Sequence, residues 1–117
     1  MAALRAANQE GRDFRVEWLD RKSTTAVFAI HGGTIEPGTS EAARAVAGSD
    51  WSYYLFEGLK PSARRPHELH VTSKRFDDPS AAALAGSAAL AVSLHGAFDT
   101  DEKTCIGGTN ALKRASM

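Results

Sequence analysis

The chain has 117 residues, with 14 Lys and Arg against 14 Asp and Glu, and 43% of it is hydrophobic. That is the composition of a single soluble globular domain, and its zero net charge excludes a protein that grips polyanions by bulk positive charge, leaving room only for a local basic patch. One cysteine, Cys105, excludes a disulfide framework or a Cys-rich zinc module; with no signal-like apolar core at the start and no run near the roughly 18 residues of a membrane span, a cytoplasmic location without a membrane partner is expected.

Leu4 to Glu10, rich in Ala and followed by Gly11, reads as a short helix. In DFRVEWL, Phe14, Val16 and Trp18 alternate with Arg15 and Glu17, the pattern of a strand with one wet face. TTAVFAI, Thr24 to Ile30, is a run bounded by turn residues, which predicts a strand buried on both faces inside a parallel sheet. TSEAARAVAG follows as a helix with Thr39 or Ser40 at the N-cap, Glu41 in the first turn, where the helix dipole favours an acid, and Gly48 as the stop. SYYLFEG and ELHVTS are candidate strands, separated by LKPSARRPH, whose two prolines exclude regular structure. Asp78-Pro79 pairs an N-cap with a proline at the first helical position and opens a helix of small residues to about Ala88. LAVSLHGAF is then a strand ending in His95-Gly96, DTDEK a polar turn, TCIGG a short strand and TNALKRASM the start of a helix. Strands alternating with helices predict an α/β fold, an open, mixed but mostly parallel sheet with helices on both faces, built as one domain over residues 1–117.

In open α/β sheets ligands bind at the carboxyl ends of the strands. A strand ending at His31 and another ending at His95 bring two imidazoles to that edge, Gly32-Gly33 permits a sharp turn, and Glu36 follows in the loop. Spacing alone leaves two readings: hydrogen-bonded structural residues at strand ends, or the protein half of a catalytic zinc site whose fourth position is open to water. In the strand pattern of HELHVT, His67 and His70 fall on opposite faces and so do not converge as a metal pair. Between residues 60 and 75, Lys60, Arg64, Arg65, Lys74 and Arg75 face a lone Glu68. Such a run is a solvated loop or a surface for a carboxylate-rich ligand, to which an arginine fork is suited. Glu41 fits a dipole partner better than a base. Trp51, Tyr53 and Tyr54 read as core or sheet-face aromatics, and Cys105 as a small buried hydrophobe.

HGGTIEPGTSEAARAVAG, SYYLFEGLKP, LHVTSKRFDDP, SLHG and IGGTNALK occur in this order, and from about Asp13 to Leu112 the chain resembles the poly-γ-glutamate hydrolases of bacteriophages and their bacterial relatives. The resemblance implies a fold similar to zinc carboxypeptidases, Zn2+ as cofactor, and hydrolysis of the amide joining a γ-carboxyl to the next glutamate's amine. It places the zinc ligands on His31, Glu36 and His95 and offers Arg75 and His70 as residues bordering the substrate cleft, of which Arg75 is the better candidate because burial with structural hydrogen bonding accounts more simply for His70. It further implies a general-base glutamate in a QLEL-like strand near the C-terminus. This sequence contains no such stretch, so the chain is expected to lack the C-terminal part of the family's domain, and Glu41 stands as an outside candidate for the base. Three functional expectations compete. The first is zinc-dependent hydrolysis of poly-γ-glutamate or a similar polycarboxylate, acting outside the cell after lysis if the gene is phage-derived. The second is a remnant that holds zinc and polyanion without cutting. The third, a phage nucleic-acid-associated protein, is disfavoured by neutral charge and missing recognition motifs. A sheet lacking its last strands also predicts self-association through the uncovered edge.

Overall fold

The structure, a computed structural model, describes residues 1–97 and 106–108. Its centre is β2 (Thr25–Gly33), buried from Thr25 to Gly32 because both of its faces are covered. On one face Val27 and Ala29 pack with Leu55 of β3 (Ser52–Gly58) and with Ala43 and Ala47 of α2 (Thr39–Ala47). On the other, Ala26, Phe28 and Ile30 meet Tyr54 and Phe56, Phe14 of β1 (Phe14–Leu19), Leu4 of α1 (Ala2–Ala7), and Ala81 and Leu84 of α3 (Pro79–Ser87). Each large apolar side chain so buried contributes about 1.5–3 kcal/mol, and the aromatics add geometry: Phe14 stacks on Phe56 at 5.2 Å, while Phe76 stands edge-on to Tyr54 and Phe56 at 5.8 and 5.7 Å.

The strand order is β1-β3-β2-β4, with β4 spanning Leu90–Ser93. β3 and β4 run parallel to β2 on either side of it, and β1 pairs antiparallel with β3. The sheet is therefore open, mixed and mostly parallel, with α2 on one face and α1 and α3 on the other, as the alternation of elements leads one to expect. No helix among the described residues is long and apolar enough to cross a membrane.

Several local expectations are corrected. The first helix ends at Ala7 rather than Glu10, because the Asn8 amide donates to the Leu4 carbonyl (3.0 Å) and the Gln9 N–H goes to the Asp13 carboxylate (2.8 Å) instead of continuing the ladder. The N-cap of α2 is Gly38, at φ 94°, rather than Thr39 or Ser40. Thr39 spends its hydroxyl backwards, donating to the Glu36 carbonyl at 2.9 Å. ELHVTS forms no strand. His67 Nδ1 accepts the Leu69 N–H (3.1 Å) and the His67 carbonyl accepts the His70 N–H (2.8 Å), so the segment curls on itself around a fully buried Leu69 and ends in a 3-10 turn at Ser73–Arg75. Of the expected TCIGG strand only Ile106, Gly107 and Gly108 are described, and they are irregular. DTDEK, Cys105 and the TNALKRASM helix lie outside the described residues. Asp78 and Pro79 open α3 as expected, but the Asp78 carboxylate accepts the Tyr54 hydroxyl (2.6 Å) and Arg5 Nη2 (3.0 Å) instead of a helix N–H.

Candidate metal centre

Parallel pairing of β4 with β2, in register Phe28 to Ser93, places the carboxyl ends of both strands side by side. His31 lies within an irregularity of the β2–β3 pairing. Pairing passes from Ala29–Leu55 to Gly32–Glu57, so β2 advances three residues where β3 advances two. An extra residue of this kind bends the strand and re-aims a side chain. The two following glycines let the backbones close behind it. A Cβ on Gly32 would run into Ser40 Oγ, and one on Gly33, at φ 64°, into the Gly58 carbonyl. The loop then hooks back: the Glu36 N–H donates to the His31 carbonyl at 2.8 Å, returning the Glu36 carboxylate to the histidine it left. His95, two residues beyond β4, completes the approach, and the Gly96 N–H donates to Glu36 Oε1 at 3.1 Å.

His31 Nδ1, Glu36 Oε1 and His95 Nδ1 form a triangle with sides of 3.3, 3.1 and 3.4 Å. A tetrahedral zinc with ligand bonds of about 2.0–2.1 Å would separate its ligand atoms by about 3.3 Å, so the three residues fit such an ion and could hold it. The ring tautomers agree. His31 Nε2 lies 2.7 Å from the Val71 carbonyl, which can only accept, so Nε2 carries the proton and Nδ1 presents its lone pair to the triangle. His95 Nε2 lies 3.0 Å from Ser93 Oγ, a hydroxyl able to accept its proton, which leaves Nδ1 free in that tautomer. Burial holds the His31 imidazole below its ordinary pKa, against the pull of the Val71 carbonyl and of the Glu36 charge. Side-chain exposure rises from 3% at His31 through 21% at Glu36 to 35% at His95, so the triangle opens to solvent on the β4 side, where a water or substrate would enter.

The remaining candidates divide. His70 stacks on His31 with ring centroids 3.9 Å apart and planes 25° from parallel. The opposite-faces argument for His67 and His70 lapses with the strand it assumed, yet the two still do not converge, because His67 Nε2 turns to the Lys60 carbonyl at 3.1 Å. Arg75 is exposed in the 3-10 turn that also holds Ser73, whose hydroxyl is 3.5 Å from His95 Nε2, and neither Lys74 nor Arg75 spends its side chain on a described partner. Lys60 is drawn away, to Asn8 Oδ1 at 2.7 Å and to Glu68 at 3.4 Å. Glu41 is exposed on the first turn of α2 and, among the described residues, makes no hydrogen bond or ion pair. The Val71 carbonyl is a functional group that sequence reasoning missed, since a backbone acceptor in an irregular segment leaves no residue-type signal.

A family profile described as Poly-gamma-glutamate hydrolase matches residues 1–117. The UPF0714 protein YndL of Bacillus subtilis (strain 168) is 40% identical over 110 residues, covering 94% of this chain and 42% of that protein. A solved structure of zinc-free apo YndL superposes with a TM-score of 0.84 at 41% identity, covering 95% of this chain and 54% of the other. The structure of a bacteriophage poly-gamma-glutamate hydrolase superposes at 0.71 and 37% identity, covering 79% and 44%. The chain thus spans about half the length of the proteins it matches.

Proposed function

The chain belongs to the poly-gamma-glutamate hydrolase family, and from that premise we propose that it carries the zinc-binding part of a hydrolase of γ-glutamyl amide bonds, with a poly-γ-glutamate-like polycarboxylate as substrate. The observation that carries the reading is the convergence of His31 Nδ1, Glu36 Oε1 and His95 Nδ1, from two distant stretches of the chain, to within 3.4 Å of one another. When bound, zinc supplies a Lewis acid and lowers the pKa of its water from 15.7 towards about 7. The chain's own residues do the rest. Val71 keeps the His31 proton on Nε2, the Ser93 hydroxyl sits within hydrogen-bond reach of His95 Nε2, and the Gly96 N–H holds the Glu36 oxygen in place. Lys74 and Arg75, exposed beside the His95 edge, offer the fork and the point charge that orient a chain bearing one carboxylate per residue. Cleavage breaks the bond between the γ-carbonyl carbon and the nitrogen, adding hydroxyl to the carbon and a proton to the departing amine.

A second reading, binding without cutting, has one observation in its favour. Among the described residues, the one carboxylate in the triangle is Glu36, a member of it, and Glu41 is exposed and makes no hydrogen bond or ion pair. One experiment separates the two. The purified chain is loaded with zinc, assayed for metal content, and incubated with poly-γ-glutamate with and without chelator while new amino termini are counted. About one zinc per chain with chelator-sensitive release supports the hydrolase, and one zinc with retained polymer but no release supports the binder. A folded chain that takes up less than about a tenth of an equivalent refutes both.

A further inference from the structure

The His67–Val71 segment touches His31 twice, and nothing assigned so far explains one of those contacts. The Val71 carbonyl takes the edge of the ring at Nε2, while His70 lies flat against its face at 3.9 Å. Among the described residues the nitrogens of His70 make no hydrogen bond, and the side chain meets His31 as a stacked flat surface. The platform that presents it is fixed. Leu69 is fully buried in the core beneath, His67 Nδ1 accepts the Leu69 N–H, and His67 Nε2 donates to the Lys60 carbonyl, which also accepts the Thr34 hydroxyl at 2.6 Å. Thr34 belongs to the loop that carries Glu36, so the platform is braced against the ligand loop as well.

An imidazole held only by one hydrogen bond at Nε2 can still swing about that bond and about its χ2, moving Nδ1 off the triangle. A flat group against its face removes that freedom, which is the service that outer groups render to metal-binding histidines. We propose that His70 is a positioning residue for the metal centre, acting as a stacked plate that, with the Val71 carbonyl, locks the His31 ring with Nδ1 aimed at Glu36 and His95. This rests on the metal reading above.

The test compares the wild type with His70→Ala, which removes the plate, and His70→Phe, which restores a flat ring without its nitrogens. Two measurements are made on the full chain: zinc affinity by competition with a chromophoric chelator, and, in metal-free protein, the NMR shifts of the His31 ring protons, which a stacked ring displaces upfield. His70→Ala is expected to bind zinc about 10–100-fold more weakly and to lose the upfield displacement, and His70→Phe to recover both. Unchanged affinity in His70→Ala, or equal loss in His70→Ala and His70→Phe, overturns the positioning role while leaving the metal reading intact. A folded wild type that takes up no zinc overturns the metal reading and this proposal with it.

Discussion

His31 uses both ring nitrogens, one for the Val71 carbonyl and one for the triangle, whereas Glu36 shares a single oxygen between the two histidines and the Gly96 N–H. The charge on that oxygen is what a cation would seek. Glu36→Gln keeps the size and the acceptor but removes the charge, so zinc affinity is expected to fall beyond the roughly 10–100-fold that outer-shell changes cost, with the thermal midpoint of the metal-free protein little altered. Affinity within about threefold of wild type would show that Glu36 is not part of the centre. A different residue, Asp13, contributes to acid sensitivity. The Arg12 guanidinium, then the Gln9 N–H, hold the Asp13 carboxyl down from 3.8 to about 2. A pKa depressed by folding gives stability that is complete above the unfolded value and is lost as pH falls through the folded one. The deficit of Asp13→Asn relative to wild type should therefore be full at pH 7 and shrink as pH drops from about 4 to about 2, as read from urea midpoints; a deficit constant across that range would contradict the assignment.

At the scale of elements, the irregular segment from His67 to Val71 matters more to the site than its lack of regular structure suggests. A strand there would have satisfied its backbone in a ladder. Instead Leu69 anchors it by insertion into the core formed by Phe14, Phe28, Tyr54 and Phe56. Truncation of a fully buried leucine leaves a cavity and costs about 2–5 kcal/mol, and here it should also loosen the plate and the carbonyl that hold His31. Leu69→Ala is expected to lower the unfolding free energy obtained from urea titration by that amount and to weaken zinc binding in the same protein, whereas Leu69→Met, close in volume, should cost less than about 1.5 kcal/mol and spare the metal. Stability lost without any change in zinc affinity would mean that the segment's anchoring and the centre are uncoupled.

For the molecule as a whole, β1 and β4 are the edges of the described sheet. β4 is short and only half-buried, and beside it Phe28, Ile30, Phe76, Ala81 and Ala91 line an open apolar hollow of about 220 Å³. An edge of this kind pairs readily with another, and a chain of zero net charge has little repulsion to prevent it. Self-association between copies through β4 is the expected outcome, measured by light scattering at increasing concentration. Ala91→Lys, which places a charge on the exposed edge, should shift the population towards monomer. Equal association in both proteins would place the contact elsewhere.

The sequence alone determined what local patterns can carry. The apolar run from Thr25 to Ile30 required a strand covered on both faces, the Asp78-Pro79 pair required a helix start, and imidazoles near the carboxyl ends of β2 and β4 were bound for the same sheet edge once the pairing was parallel. The motifs extended this to His31, Glu36 and His95 as a set. Only the tertiary structure decided the rest, because it depends on groups without a side-chain signature. The extra residue of β2 that aims His31 is a mismatch between two strands and exists in neither alone. ELHVTS has the residues of a strand but lost that form to local hydrogen bonds and the burial of Leu69. The tautomer that turns Nδ1 of His31 towards the centre was chosen by the carbonyl of Val71, 40 residues away in sequence, and a backbone oxygen looks the same in every sequence until the fold gives it a neighbour.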